Sequence, residues 1–298
     1  ALFDDRGDDR SPPVVAGCRK LGTIAELVSF ARIAQIDLLI VTLPLSAEQR
    51  ILSLLKALWV LPVDIRLSAY SGDYSFPRRE ADDAAGLIGV LRNPLSGLRR
   101  MTKRCFDLSV ASLALAALSP VMLLTALAIR LDSPGPVFFL QKRHGFNHRP
   151  IEVWKFRSMY HDSCDARASQ IVTRGDPRVT RVGRFIRKTS IDELPQLFNV
   201  LTGELSLVGP RPHAVEAQSS RQQLFTEIVE GYSGRHRMPP GITGWAQVNG
   251  WRGEIDDSDK LRQRFEHDLY YIENWSIWLD LRILLLTPFR LFDTRNAY

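Results

Sequence analysis

The chain is poor in cysteine. Of its 298 residues three are Cys. Cys18, Cys105 and Cys164 stand too far apart for a disulfide framework or a zinc site, so the compartment reads as reducing. No G-x-G-x-x-G occurs, which removes support for dinucleotide binding in a strand–helix unit. No internal repeat is evident. The N-terminus, Ala-Leu-Phe-Asp-Asp-Arg, has neither an initiator methionine nor a signal peptide, and the expectation is a fragment of something longer. Acid is in the minority. With 39 Lys and Arg against 33 Asp and Glu the net charge is +6, which suits an anionic partner: a membrane surface, a phosphate-bearing substrate or nucleic acid. Nucleic acid fits worst, because the aromatics are not interleaved with the basic stretches as a stacking platform requires.

What the chain does have is one long apolar run. Leu108 to Ile129 carries no charge and is long enough to cross a bilayer. Ser119-Pro120 sits near its centre, where proline removes a helical N–H and crowds the preceding turn. Arg99, Arg100, Lys103 and Arg104 precede the run, and Arg130, Lys142 and Arg143 follow it. A spanning helix shows a Lys/Arg asymmetry between its ends, and here there is little. The expectation is a re-entrant helix over 105–131 that enters a phospholipid membrane, turns at Ser119-Pro120 and leaves by the same face. The alternative is a buried, kinked helix of a soluble core, which rarely runs to this length.

Residues 13–75 read as α/β. Val14-Val15-Ala16 is a short strand. Thr23 to Ile33 is a helix opened by a capping box of Thr23 and Glu26. Asp37 to Leu43 is a buried strand, Ser46 to Leu58 a second helix, and Val63 to Leu67 an alternating strand. That order implies a parallel sheet of Rossmann type. Residues 76–98 read as a linker. The fold class expected is therefore α/β, with a Rossmann-like N-terminal domain over 1–98 and a membrane-associated α/β catalytic domain over 99–298. In the latter, Val137 to Leu140 and Ile151 to Phe156 are strand-like. Helices are expected near Asp192 to Leu201 and Ala214 to Glu230. Gly241 to Trp245 reads as a turn. Asn274 to Phe292 suits a helix lying in the membrane interface.

Chemistry centres on Ser190-Ile191-Asp192-Glu193-Leu194-Pro195. Adjacent carboxylates repel. Acidic residues at a helix start also serve the dipole, and Pro195 at the third helical position would put Asp192 at the N-cap. Locally the structural and the functional readings balance. The surroundings tip it. Lys155 and Arg157 share a strand face, Arg187-Lys188 precedes the acidic pair, Pro210-Arg211-Pro212 fixes an arginine on a stiff turn, and Arg235, His236 and Arg237 follow. Together they make an anion site facing two carboxylates, as phosphoryl transfer requires. Oxygen ligands point to Mg²⁺ or Mn²⁺.

Lys155-Phe156-Arg157-Ser158-Met159, the stretch Ser190 to Leu201, Gly209-Pro210-Arg211-Pro212, Pro240 to Gly250 and Asp268-Leu269-Tyr270-Tyr271 resemble the monotopic phosphoglycosyl transferases, the bacterial sugar transferase family. Residues 13–98 resemble the Rossmann-like domain of its large members, similar to undecaprenyl-phosphate glucose phosphotransferases, which carry four further membrane helices upstream. The resemblance implies transfer of a sugar 1-phosphate, glucose favoured, from a UDP-sugar to undecaprenyl phosphate with release of UMP, at the cytoplasmic face of a bacterial inner membrane, as the first membrane step of exopolysaccharide or capsule synthesis. It implies Asp192 as the nucleophile that forms an aspartyl phosphosugar, Glu193 as the Mg²⁺ ligand, Lys155 and Arg187 as phosphate ligands, and Arg211 at the nucleotide. Arg157 belongs to the same basic motif as Lys155. Ser119 and Pro120 shape the break in the helix. Asp268 and Asp280 match acidic positions near the site or its scaffold. The competing expectation is a non-catalytic membrane scaffold. Oligomeric state stays open, a homodimer among the alternatives.

Overall fold

The computed structural model describes residues 1–6, 11–15, 17–34, 36–44, 46–68, 87–163, 175–212, 229, 231–251, 253 and 258–291. Cys164, nearly all of the helix expected over Ala214–Glu230, and the last residues Arg295 to Tyr298 lie outside them. The chain divides into two compact units, Ala1–Asn93 and Pro94–Tyr298.

The first unit contains β1 (Leu2–Phe3), β2 (Val14–Val15), β3 (Cys18–Gly22), α1 (Ile24–Ile33), β4 (Leu38–Val41), α2 (Glu48–Leu58), β5 (Asp64–Ser68) and β6 (Leu87–Leu91). The capping box opens α1: Thr23 Oγ1 accepts from the Glu26 N–H, and Glu26 Oε2 accepts from the Thr23 N–H at 2.7 Å. No side chain caps α2, whose N-cap is Ala47. Its buried residues Ile51, Leu54 and Leu58 recur at helical spacing, and Ile65 and Leu67 alternate along β5 with outward polar residues. With Leu27, Ala31 and Val41 they close one core. The β4–α2–β5 segment is a parallel crossover unit. The rest departs from an all-parallel sheet. The strand at Val14 pairs antiparallel with β3, and these two join β1 in a separate sheet. The stretch expected as linker holds β6, which pairs antiparallel with β5. Leu87 to Leu91 is an apolar run interrupted only by Gly89, and that composition suits a strand better than a linker.

The second unit opens with α3 (Leu98–Asp132), followed by β7 (Phe138–His144), β8 (Pro150–Phe156), α4 (Arg181–Lys188), α5 (Gln196–Thr202), β9 (Ser206–Val208), β10 (Gly241–Thr243), α6 (Trp245–Val248), α7 (Ser258–Glu273) and α8 (Ile277–Leu291). β7 and β8 form an antiparallel hairpin, and β9 and β10 pair in parallel. Ala111 of α3, Val153 of β8, Leu197 and Val200 of α5, Leu207 and Val208 of β9, Tyr271 and Ile272 of α7, and Ile283 of α8 form the core.

α3 is long and apolar enough to cross a membrane, with a mean hydropathy of 2.1 over its most apolar window, of which only 17% is buried. A core helix of that hydropathy would be mostly covered, whereas most of the apolar surface of α3 is left uncovered by the described residues of the unit. The helix does not end at Ser119-Pro120 but carries through the proline. Pro120 has no N–H for the Ala116 carbonyl, and the Ser119 hydroxyl donates to that same carbonyl at 2.9 Å, re-satisfying it. The basic flank also divides. Arg99 and Arg100 are exposed. Lys103 is buried against Asp107 and Asp280, and Arg104 donates to the Val200 and Leu201 carbonyls at the C-terminus of α5, where a cation suits the dipole.

Candidate active site

The site is assembled from four local features. Lys155 is the penultimate residue of β8. Arg187 lies in the last turn of α4, which Thr180 caps by accepting from the Gly183 N–H at 2.9 Å. A Cβ at Gly183 would sit 1.9 Å from the Ser158 carbonyl oxygen, so only glycine lets α4 approach the end of β8 this closely. Ser190 then takes the left-handed conformation, φ 58°, a position that costs a non-glycine residue of order 1 kcal/mol or more. This reversal turns the chain from Arg187 into the 3₁₀ turn Ile191–Glu193. Asp192 is therefore inside a 3₁₀ turn rather than at the N-cap of the following helix. Pro195 itself is the N-cap of α5, because a ring with φ of −61° fits that boundary residue. Arg211 follows β9, where Gly209 and Gly241 let two backbones touch: a Cβ on Gly241 would lie 2.0 Å from the Gly209 nitrogen.

These features converge on Glu193. Arg211 grips its carboxylate with both terminal nitrogens, Nη1 to Oε2 at 3.1 Å and Nη2 to Oε1, the bidentate geometry of a strong pair. Lys155 Nζ lies 3.5 Å from Oε1. Asp192 makes no hydrogen bond or ion pair with a described side chain. Burial, then the neighbouring Glu193 charge, pushes its carboxyl up to about 6, against the pull of Lys155, Arg187 and Arg211. Burial pushes Lys155 down. The Glu193 carboxylate is the first cause that raises Arg211.

Arg143 completes the group. It stands on β7, on the hairpin face that also carries Lys155. It donates to the Pro212 carbonyl and, through Nη2 and Nε, to Gln141 Oε1 at 2.6 and 3.2 Å. Sequence reasoning placed it among the flanking charges of the apolar run. Its parity with Lys155 follows only from the hairpin register.

Other expected residues serve elsewhere. Arg157 is buried, and its guanidinium donates to the Pro134 and Ser133 carbonyls at 2.6 and 2.7 Å and to Ser133 Oγ. It fixes the exit from α3 rather than facing the carboxylates, because it stands one residue beyond β8, where strand alternation no longer governs. Asp268 pairs with Arg235 at 2.6 Å, both buried, and Arg235 donates to the Arg211 carbonyl at 2.8 Å. Asp268 thus supports the Arg211 turn from behind. Asp280, fully buried, accepts from Lys103 and Tyr271 at 2.7 Å each and from Trp275 Nε1 at 3.2 Å. Ser119 and Pro120 lie in mid-helix.

The adjacent carboxylates supply hard oxygen donors. Among the described residues no cluster of three or more His, Cys, Asp or Glu exists that would cage a metal. That set suits an ion such as Mg²⁺, which takes its other oxygens from phosphate and water.

The CoA-binding domain family matches residues 1–69. The chain is 47% identical over 307 aligned positions to an undecaprenyl-phosphate glucose phosphotransferase of Komagataeibacter xylinus, covering 99% of this chain and 54% of that one. It is 42% identical to the UDP-glucose:undecaprenyl-phosphate glucose-1-phosphate transferase of Escherichia coli (strain K12), covering 93% and 59%. The chain thus spans little more than half the length of these relatives. A UDP-N-acetylgalactosamine-undecaprenyl-phosphate N-acetylgalactosaminephosphotransferase of Aeromonas hydrophila is 48% identical over 62% of this chain and 42% of its own. The bacterial sugar transferase family matches residues 98–294, the whole stretch that builds the site, and the chain belongs to that family.

Proposed function

We propose that this protein moves a sugar 1-phosphate from a UDP-sugar to undecaprenyl phosphate and releases UMP. The observation that carries this reading is Asp192: a carboxylate with no donor among the described residues, set beside a clamped Glu193 and among cations. Asp192 attacks the phosphorus that bears the sugar. The bond from that phosphorus to the bridging oxygen breaks, and UMP leaves with the electron pair. An oxygen of the polyprenyl phosphate then attacks the aspartyl phosphosugar and frees the carboxylate. Both steps balance without an external proton. Lys155, Arg187 and Arg211 hold the phosphate charge as it shifts. Glu193 would be the residue to hold Mg²⁺ or Mn²⁺, which would supply further charge screening when bound. Glucose is the favoured sugar, because the relatives matched along nearly the whole chain are named for it. The N-acetylgalactosamine relative aligns over a shorter stretch at equal identity, so identity in that stretch does not select the sugar.

Enzyme and UDP-glucose without lipid should give a burst of UMP of at most one per site and a protein mass raised by one hexose phosphate. Excess EDTA should abolish the burst. Asp192→Asn should show neither burst nor added mass. Multiple turnover that strictly requires lipid, with an unmodified protein, would favour direct attack by the lipid phosphate. Absence of any UMP release from all UDP-sugars would leave a scaffold.

The acceptor is a lipid, and the exposed apolar surface of α3 supports placing the site at a membrane surface, read as the cytoplasmic face of a bacterial inner membrane. The re-entrant reading rests on basic residues at both ends of α3 and on proline at its middle. Cysteines placed at Arg100 and at the exposed Pro134, in a variant lacking the native cysteines, should be labelled from one face of sealed vesicles. Labelling from opposite faces means a spanning helix. The crossover unit β4–α2–β5 supports a Rossmann-like reading of the first unit.

A further inference from the structure

We propose that Arg143 binds the phosphate that leaves with the nucleoside, at the end of the site opposite Asp192. This rests on the reading of Asp192 as the attacking group. An in-line displacement puts nucleophile and leaving group on opposite sides of the reacting phosphorus, so the site needs cations at both ends.

The hairpin register supplies them. Lys155 faces Phe139 across the ladder, and Arg143 faces Ile151. Four strand positions, about 13 Å, therefore separate Arg143 from Lys155 along one face. Lys155, Arg187 and Arg211 act on Asp192. Arg143 donates to the carbonyl of Pro212, the residue after Arg211, and Glu193 and Arg211 are the charges that act on it. Arg143 is thus the cation set against Glu193 and the Arg211 turn rather than against Asp192.

Charge points the same way. Arg143 pairs with no carboxylate among the described residues. Its nearest, Glu193, has both oxygens gripped by Arg211. Gln141 and Pro212 take three of its N–H groups, and a guanidinium has five. Four cations, Lys155, Arg187, Arg211 and Arg143, meet two carboxylates. A half-buried cation without a counter-ion is costly, and burial lowers Arg143 to about 10. A nucleoside monophosphate dianion restores the balance.

The test is equilibrium binding of UMP and of uridine to the full chain, for the wild type, Arg143→Gln and Asp192→Asn. Arg143→Gln should weaken UMP roughly 10- to 100-fold, the range of a charge-assisted contact, and leave uridine unchanged. Asp192→Asn should bind UMP at least as tightly as the wild type. Unchanged UMP affinity in Arg143→Gln overturns the proposal, and so does an equal loss for uridine, which would mean that Arg143 only shapes the Pro212 turn. A second measurement uses the wild type alone. Saturating UMP, but not uridine, should protect Arg143 from phenylglyoxal, read by peptide mass. An unprotected Arg143 under bound UMP also overturns it. Failure of the Asp192 reading shows separately, as a missing burst and mass increment while Arg143 stays protected.

Discussion

Two carboxylate clusters in the second unit use the same residue types to opposite ends. In one, Asp107 and Asp280 share Lys103, and all three are buried. Each carboxylate receives three donors: Lys103, Ser206 and the Leu207 N–H on Asp107, and Lys103, Tyr271 and Trp275 on Asp280. In the other, Glu193 is clamped while Asp192 has no donor among the described residues, where cations also outnumber carboxylates. The first cluster ties α3 to β9, α7 and α8, with every carboxylate oxygen engaged. The second holds an unspent acceptor and a surplus of positive charge. Acidic residues in this unit therefore do not announce their work by type. The number of donors aimed at each oxygen separates a fixed joint from a reacting group.

The strongest way to break this comparison is Asp280→Asn. Three donors converge on the Asp280 carboxylate. An amide offers one acceptor and turns an NH₂ toward them, while Lys103 keeps its charge with only Asp107 to meet it. Removing one partner of a buried ion pair costs about 3 kcal/mol or more. The thermal midpoint of the second unit should fall by roughly 6–12 °C, measured by calorimetry in detergent. An unchanged midpoint would mean that the cluster is no joint.

The Asp192 cluster was the more legible of the two. Asp192, Glu193, Arg187 and Lys155 sit in short segments whose local pattern of charge and proline marks them out, and Arg211 lies between two prolines. The capping box at Thr23, the hairpin strands and the apolar helix are likewise local, set by side-chain period and capping chemistry. What stayed hidden depends on distance along the chain. Lys103 meets Asp280 across 177 residues, and Ser206 meets Asp107 across 99. Arg143 reaches the site only through the register of β7 with β8, and in the sequence it looks like one more membrane-flanking cation. Arg157 misled because Lys155 and Arg157 have the same parity, yet the strand ends between them. The antiparallel β6 was missed because an apolar stretch after a long polar one says nothing about the direction of pairing.

The smallest effect is the sharpest, because it reverses sign between the clusters. Asp192 is held at about 6 in the folded protein, chiefly by burial, against the ordinary aspartate value of 3.8. A group whose pKa is raised on folding adds stability that is complete below its unfolded value and is lost as pH rises through the folded one. The wild type should therefore lose stability between about pH 4 and pH 6 on this account. Asparagine stays neutral throughout and leaves no donor unmet, since none was aimed at the carboxylate. Asp192→Asn should match the wild type near pH 4 and exceed it above pH 6.5, by about 3 kcal/mol for a shift of this size. Denaturant unfolding of both proteins at several pH values measures the difference directly. Asp280→Asn should be less stable than the wild type at neutral pH, with its donors left facing an amide. Were Asp192→Asn also the less stable protein at pH 7, Asp192 would have hidden partners of its own, and the contrast between a satisfied joint and a poised nucleophile would not hold.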